Sequence, residues 1–282
     1  VDFQFQGSEG RAVVRYEASG YRYAYHVYEL RRDAKARLVI VDWIDFFRGN
    51  RFSDEAGAAL IMAMPSKPAT RNLLKSSNAD EAAVFQVREL LKAARDKNSQ
   101  RFFQIYDGID EQTRNNPALV RLNLQFAMQA RDRARIAAAE QRLTQVFPDD
   151  ALHSLQLIEY YLPMRQYDKA IDALIRLQQE LGIADGAIES LKAMAALADG
   201  DIERALEFAL RATDAEPTLE VSWWSLLRVR TRAEDFSGAT EALARLESDF
   251  GQRLGPEKLK KDPFLKLLAG QKEYLDWRAA ND

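Results

Sequence analysis

Cysteine is absent from the chain, histidine occurs only twice, and no stretch of 18 consecutive residues is apolar. The lack of cysteine excludes disulfides, thiolate metal sites and a cysteine nucleophile, and it fits both a reducing and an oxidising compartment. The lack of a long apolar run predicts that nothing in this sequence spans a membrane. The start of the sequence also lacks the charged and then apolar pattern of a signal peptide.

A strong net charge of either sign is also missing. The 40 lysine and arginine residues are balanced by 43 aspartate and glutamate residues, which gives a net charge of -3. This balance provides no general basic surface, so no nucleic-acid partner is expected. Because the chain begins at Val1 without a methionine, we expect that a leader was removed or that the chain is a fragment. Both a cytoplasmic and a periplasmic location therefore stay open.

The residue types that carry catalysis do not form a constellation in the sequence. His26 and His153 have no nearby pair of carboxylates at metal-ligand spacing, so we interpret them as strand and capping residues. Asp42 and Asp45 fall on opposite faces of a predicted strand and cannot act as an acid–base pair, and a structural hydrogen-bonding role is favoured for Asp42. The stretch 7–10 contains two glycines but lacks the following helix that a phosphate-binding loop needs. We predict that the chain is not an enzyme and binds no metal or cofactor.

The first eighty residues show the period-two alternation that is typical of β-strands. The predicted strands are residues 12–18, 21–30 and 38–46. A short basic turn joins the last two, which makes them antiparallel neighbours. A helix from Asp54 to Met64, capped by Ser53 or Asp54, is expected to cover one face of the sheet. Residues 1–64 are thus predicted to be an α+β domain of three or four antiparallel strands, and residues 65–82 a linker.

Beyond residue 83 one helical pattern recurs. Its copies are residues 133–147, 167–181, 202–216 and 236–250. Three copies begin with a bulky residue, two mostly polar residues and an alanine, and these alanines are Ala170, Ala205 and Ala239. Their spacings of 35 and 34 residues match the period of the tetratricopeptide repeat (TPR). Steps of 34 residues toward the start reach Ile136 and Phe102, so the register extends over five units.

The resemblance to the TPR family covers residues 83–251 and includes Trp223 at the position of the family tryptophan. It implies an α-solenoid of about five helix pairs. Because a solenoid leaves its last apolar face bare, residues 252–282 are predicted to form capping helices, although they could instead serve as a partner-binding arm. The expected fold class is mainly α, a TPR-type α-solenoid with C-terminal capping helices and a small N-terminal antiparallel α+β domain.

In this family the first helices of successive units line a concave groove, and the resemblance implies that this groove binds a peptide or helix of a protein partner. By family register its inward residues are Arg121, Gln125, Leu155, Glu159, Leu191, Met194, Trp224, Arg228 and Arg232. An apolar centre with arginines toward both ends suits a peptide that carries carboxylates. The predicted function is a non-enzymatic scaffold or adaptor, and homodimerisation stays open. As an equal alternative, the chain's own N-terminal domain or C-terminal cap fills the groove.

A second resemblance concerns the N-terminal domain. The run Ile40 to Ile44, followed by Gly49 and Ser53, is similar to the strand and turn that end nuclear-transport-factor-like and cystatin-like rolls. Such rolls can enclose ligands, so this resemblance implies an alternative function. The chain would then carry or sense a small apolar molecule in a pocket lined by Tyr23, Tyr25 and Trp43.

Overall fold

The structure of the chain is a computed structural model that describes residues 2–18, 22–63, 81–148 and 151–281. The chain divides into two compact units. The first comprises Val1–Tyr16 and Ala24–His153, and the second comprises Glu17–Tyr23 and Ser154–Asp282. The predicted linker at residues 65–82 and the predicted helix end at Met64 lie outside the described residues, except that a helix begins at Glu81.

The N-terminal part is an antiparallel sheet in which each strand pairs with its neighbours in sequence. Its strands are β1 (Asp2–Gln6), β2 (Glu9–Ala18), β3 (Arg22–Arg32), β4 (Leu38–Asp45) and β5 (Asn50–Arg51). In the β1–β2 pair, Phe3 lies opposite Ala12. In the β3–β4 pair, Val27 lies opposite Ile44, and the register shifts by a bulge at Glu29.

The sheet has five strands within the described residues, so the prediction of three or four was too low. β1 was missed because it holds only two apolar residues in five, which is too short an alternation to stand out. It is joined to β2 by Gly7, whose φ of +65° makes the tight turn. β5 was missed because it is only two residues long.

Helix α1 (Phe52–Ala63) follows β5 directly, and its start is capped from the sheet. The carboxylate of Asp42 accepts hydrogen bonds from the Ser53 N–H at 3.0 Å and from the Ser53 hydroxyl at 2.7 Å. It also accepts bonds from the Trp43 N–H and the Arg51 guanidinium. Burial alone would raise the pKa of Asp42, but these hydrogen bonds outweigh burial and hold its pKa below the ordinary value. Asp42 therefore has the structural role predicted for it, whereas the cap does not come from the helix's own first residues as expected.

The helices between Glu81 and Phe250 form five consecutive pairs within the described residues. The pairs are α2 (Glu81–Arg95) with α3 (Ser99–Asp107), followed by the four-residue helix α4 (Glu111–Arg114), then α5 (Pro117–Ala130) with α6 (Arg133–Val146), α7 (Ser154–Tyr161) with α8 (Tyr167–Leu181), α9 (Gly186–Asp199) with α10 (Ile202–Ala215), and α11 (Glu220–Arg232) with α12 (Phe236–Phe250). Helices α6, α8, α10 and α12 begin and end within one residue of the four copies predicted from the sequence. The mainly α fold with an N-terminal antiparallel sheet is thereby confirmed.

The turn inside each pair has the same construction. One residue in each turn has a positive φ, and these residues are Lys97, Arg131, Arg165, Gly200 and Glu234. They recur every 34 or 35 residues, so the repeat period continues through the first two units, where the alanine is replaced. The next residue is the N-cap of the second helix. In four of the five turns the side chain of this residue accepts a hydrogen bond from a backbone N–H of the helix, and these four N-caps are Asn98, Asp132, Asp201 and Asp235. This satisfies an N–H group that has no partner within the helix.

The turn at Glu234 gives a test of this construction. Glu234 has a φ of +59°, which costs an L-residue free energy that glycine does not lose, so Glu234→Gly is expected to stabilise the chain by about 0.5 to 1 kcal/mol. The neighbouring Ala233 has a φ of -76°, and Ala233→Gly is expected to destabilise by a similar amount. Urea unfolding measures both variants. A destabilised Glu234→Gly variant would contradict the left-handed turn.

Small residues bring the helices of the second compact unit, which contains residues Ser154–Asp282, close together. Ala170, Ala205 and Ala239 are fully buried, as the predicted register requires. At the start of α9, a Cβ on Gly186 would lie 2.9 Å from Ser222 Oγ and 3.0 Å from the Ala212 carbonyl oxygen. These distances are shorter than side chains tolerate, so glycine is what permits this approach.

Helix α9 also carries a buried ion pair. The side chains of Glu189 and Lys192 are 7% and 5% exposed, and Lys192 Nζ lies 2.5 Å from Glu189 Oε1. Lys192 also donates to Gln178 Oε1 at 2.6 Å, and Arg211 Nε donates to Glu189 Oε2 at 3.3 Å. Burial lowers the pKa of Lys192, and the contact with Glu189 opposes this shift. Removing either residue would therefore leave the charge of the other one buried without its closest partner.

The last helix pair is covered by a C-terminal cap, as predicted. The cap consists of α13 (Pro256–Lys261), a 3-10 turn (Leu268–Gly270) and α14 (Lys272–Asn281). Leu259, Leu268 and Tyr274 are completely buried in the same core cluster as α12. Arg278 on α14 bonds to both carboxylate oxygens of Glu247 on α12, at 2.5 and 3.1 Å. The cap is thus held by apolar burial and by one charged contact.

Candidate partner-binding surface

The candidate surface lies on α9 and α11, the first helices of two consecutive pairs, which pack side by side. Ser225 on α11 donates its hydroxyl to Ser190 Oγ on α9 at 3.4 Å. Larger residues occupy the neighbouring positions of both helices, with the members on each helix three or four residues apart and therefore on one helix face. They are Leu191, Met194, Trp224 and Arg228, which are all half-buried, and we call them the Trp224 surface.

Two side chains of the Trp224 surface, Trp224 and Arg228, are held in place by charged neighbours. The indole N–H of Trp224 donates to Glu220 Oε1 at 2.9 Å, and the guanidinium carbon of Arg228 lies 5.4 Å from the indole centroid. Arg228 donates to Asp262 Oδ2 from Nη2 at 3.0 Å and from Nε at 3.2 Å. Asp262 directly follows α13. The arginine that was predicted to bind a partner, Arg228, is therefore paired with a carboxylate of the C-terminal cap.

The adjacent tryptophan has a different environment. Trp223 donates its indole N–H to the Pro217 carbonyl oxygen at 2.8 Å. The guanidinium carbon of Arg245, which belongs to α12, lies 5.9 Å from the centroid of its ring. Trp223 therefore contacts the second helix of its own pair, whereas Trp224 stacks with a residue of its own helix. The two tryptophans can be tested separately.

The remaining predicted partner-binding residues are Arg121, Gln125, Leu155, Glu159 and Arg232. Glu159 and Arg232 are exposed, and the other three are half-buried. In the first of the two compact units, Arg121 Nη1 on α5 lies 3.7 Å from Asp54 Oδ2 on α1. Arg121 and Arg228 thus each pair with a carboxylate of the chain itself, one from the N-terminal domain and one from the cap. Sequence reasoning raised this alternative but could not name the two carboxylates.

The structure does not bring the predicted apolar-ligand residues into one pocket. Tyr23 and Tyr25 are buried, and their spacing of two places them on the same side of β3. Trp43 pairs across the sheet with Tyr28, which lies three residues beyond Tyr25 and so on the opposite side. Trp43 stacks on Phe52 with 4.0 Å between the ring centroids. An open groove of about 850 Å³ elsewhere on the sheet is lined by Phe5, Leu30 and Val41, but also by charged residues of both signs.

A hydrogen-bonded cluster on the sheet was missed by sequence reasoning. The hydroxyls of Tyr16 and Tyr28 lie 3.1 Å apart, His26 Nδ1 lies 3.1 Å from Tyr28 Oη, and His26 Nε2 lies 3.5 Å from Asp45 Oδ1. The hydrogen bond with Tyr16, aided by burial, raises the pKa of Tyr28 to about 12. Tyr28 therefore stays protonated at neutral pH and is a poor base or nucleophile. The spacing of two between His26 and Tyr28 was the only sequence signal for this cluster.

No group of three or more histidine, cysteine, aspartate or glutamate side chains in residues 2–18, 22–63, 81–148 and 151–281 is arranged to hold a metal ion. In the same residues, no helix combines the length and the apolar character needed to cross a bilayer.

No protein-family model and no curated protein matches the chain. Among solved structures it is similar to MamA 41-end from Desulfovibrio magneticus RS-1, with 18% identity, 62% of this chain and 99% of that chain covered, and a TM-score of 0.45. It is also similar to PilW, described as a widely conserved type IV pilus biogenesis factor. The two share 11% identity, the match covers 72% of this chain and 93% of that chain, and the TM-score is 0.42. A third similar structure is that of Pseudomonas aeruginosa PilF, with 11% identity, 71% of this chain and 98% of that chain covered, and a TM-score of 0.40. The chain's own helix pairs, with turns every 34 or 35 residues and buried small residues between helices, make its helical part TPR-like.

Proposed function

We propose that the chain is a non-enzymatic scaffold that binds a protein segment on the Trp224 surface. The observation that carries this proposal is the ion pair between Arg228 and Asp262 beside a half-buried indole. Here a carboxylate of the chain occupies the position that a partner carboxylate would take. The surface contains neither a nucleophile nor a general base, which favours recognition over chemistry.

The chemistry of the surface defines the partner. Arg228 has two donors directed at a single carboxylate oxygen, a charge-assisted geometry that an aspartate or glutamate of a peptide can reproduce. The indole of Trp224 and the thioether of Met194 provide apolar contact that adapts to different side chains. The expected ligand is therefore an acidic peptide or helix with an apolar residue about one turn from its carboxylate.

The helices beneath the surface supply rigidity. Ser190, Ser225 and Leu226 are buried under it, and Gly186 fixes the approach of α9 to its neighbours. A rigid surface loses little conformational entropy when a ligand binds, which favours affinity. The predicted contacts Arg121, Gln125, Leu155, Glu159 and Arg232 remain expectations for a longer ligand.

The proposal can be tested with peptides selected from a random 12-residue display library on the intact chain. Trp224→Ala is expected to weaken a selected peptide about thirtyfold, because aromatic anchors at interface centres often contribute about 2 kcal/mol or more. Fluorescence polarisation of the labelled peptide measures the affinity. Trp223→Ala is the matched control, and it should lower the melting temperature while leaving the affinity of the folded variant unchanged.

A second variant tests whether Asp262 competes with the peptide. Asp262→Asn removes the charge that pairs with Arg228 but keeps an oxygen for the Phe264 N–H, which Asp262 Oδ1 accepts at 2.8 Å. Peptide affinity is expected to rise by up to about fivefold, the upper end of the range for an exposed ion pair. Equal affinity in the Trp224→Ala and Asp262→Asn variants and the unmodified chain would place binding elsewhere and refute the proposal.

A further inference from the structure

Strand β1 presents an unprotected sheet edge. It is the first strand in the order of the sheet, and among the described residues no other strand pairs with its outer side. Natural edge strands are usually protected from pairing with other chains by lysine, proline or a bulge. The five residues of β1, DFQFQ, include neither lysine nor proline and carry one charge, on the first residue Asp2, and they pair with β2 without a register shift.

The side chains of β1 are arranged for contact with another molecule. Phe3 and Phe5 are 60% and 48% exposed, and both project from the same face because they are two residues apart. Their cross-strand neighbours are the small residues Ala12 and Gly10. A Cβ on Gly10 would collide with the Phe5 ring, so this ring lies directly against the glycine backbone. Two exposed aromatic rings therefore lie beside the open edge.

We propose that β1 pairs with β1 of a second copy of this chain, in antiparallel register about a two-fold axis at Gln4. In this register Phe3 lies opposite Phe5 of the second copy, which forms two cross-strand aromatic pairs. Asp2 lies opposite Gln6, so a carboxylate faces an amide donor. Gln4 lies opposite its own copy. Its amide Nε2 donates to Asp2 Oδ2 of the same strand at 3.0 Å, and the amide group has a second N–H and an oxygen that can bond to the other copy. No like charges oppose one another, so the strand is complementary to itself.

The other edge of the sheet makes this assembly a closed dimer. β5 has only two residues and continues directly into α1, so it offers no comparable length for pairing. Because β1 is the one long open edge among the strands that the structure describes, a two-fold interface uses this edge of each copy and cannot extend into a fibre. The interface is small compared with standard protein interfaces, so we expect a weak dimer that is populated at about 100 µM. This dimer is independent of peptide binding at the Trp224 surface.

Single-cysteine variants test the register, because the chain has no cysteine of its own. Under mild oxidation at about 100 µM, Gln4→Cys should cross-link to itself, because residue 4 lies on the axis. Asp2→Cys and Gln6→Cys should each fail to cross-link alone but should cross-link when mixed, because each lies opposite the other. Self-cross-linking by Asp2→Cys or Gln6→Cys, or no cross-link in any sample, would overturn the proposal.

A charge substitution tests the interface without cross-linking. Gln4→Glu faces Arg11 within the hairpin but brings two carboxylates together at the axis of the dimer. Sedimentation equilibrium should show the dimer dissociation constant rising at least tenfold. Gln141→Glu, the same change at an exposed site on α6, should leave it unchanged. A chain that stays monomeric at 500 µM, or a dimer that Gln4→Glu does not weaken, would contradict pairing through β1.

Discussion

Replacing Arg278 by methionine is expected to lower the free energy of unfolding by about 3 to 5 kcal/mol. Arg278 is 8% exposed, and its guanidinium bonds to Glu247 and to the Leu254 carbonyl oxygen, the latter at 2.9 Å. Methionine keeps the apolar stem but leaves the Glu247 carboxylate without its countercharge at a largely buried position. Urea unfolding at pH 7, followed by tryptophan fluorescence, measures the loss.

The same contact predicts a pH dependence. Burial would raise the pKa of Glu247, but the hydrogen bonds from Arg278 and the Leu254 N–H outweigh it and lower the pKa below its ordinary value of 4.5. Because the folded-state pKa is the lower one, Glu247 stabilises the fold above about pH 4.5, and this contribution is lost as the pH falls through the folded-state pKa. The unmodified chain should therefore lose stability below pH 5 more steeply than the Arg278→Met variant.

An exposed ion pair provides the control for Arg278. Lys260 Nζ lies 2.9 Å from Glu257 Oε1, but the Lys260 side chain is 59% exposed and solvent screens the pair. Lys260→Met should leave the urea midpoint unchanged. If Lys260→Met and Arg278→Met shift the midpoint equally, the contact with Glu247 does not anchor the cap.

The buried pair on α9 is expected to behave as a unit. Glu189→Leu leaves the Lys192 ammonium with Gln178 as its remaining hydrogen-bond acceptor among the contacts described above, and Lys192→Met leaves Glu189 with the more distant Arg211. Each single change should destabilise the chain by about 3 to 5 kcal/mol, because one buried charge loses its partner. The double variant should cost about 1 kcal/mol or less, since apolar side chains then replace both charges. Urea unfolding of the four proteins completes the cycle.

The cycle separates an interacting pair from two independent contributions. If the two residues contributed independently, the losses of about 3 to 5 kcal/mol each would add up to about 6 to 10 kcal/mol in the double variant. That result would contradict the coupling inferred from the 2.5 Å contact between Lys192 and Glu189. Circular dichroism at 222 nm, a wavelength typical of helices, serves only to confirm that each variant is folded.

The helices were more predictable than the sheet or the candidate surface. The recurring alanines placed α8, α10 and α12 within one residue, because a buried small residue must return at a fixed helical position in each unit. The first strand of the sheet, β1, was not predicted, because two apolar residues in five do not distinguish a strand from a loop. The cap of α1 was assigned to local residues, whereas Asp42 supplies it from a different strand. Such a contact leaves no periodic trace in the sequence.

The sequence alone determined that the chain would form paired helices at a 34- or 35-residue period, because only stacking of such units buries their apolar stripes. It also excluded disulfides and thiolate chemistry. The tertiary structure decided which carboxylate faces each arginine, Asp262 for Arg228 and Asp54 for Arg121. It also separated Trp43 from Tyr25 by placing them on opposite sides of the sheet. These outcomes depend on strand register and on contacts between distant residues, which local patterns do not encode.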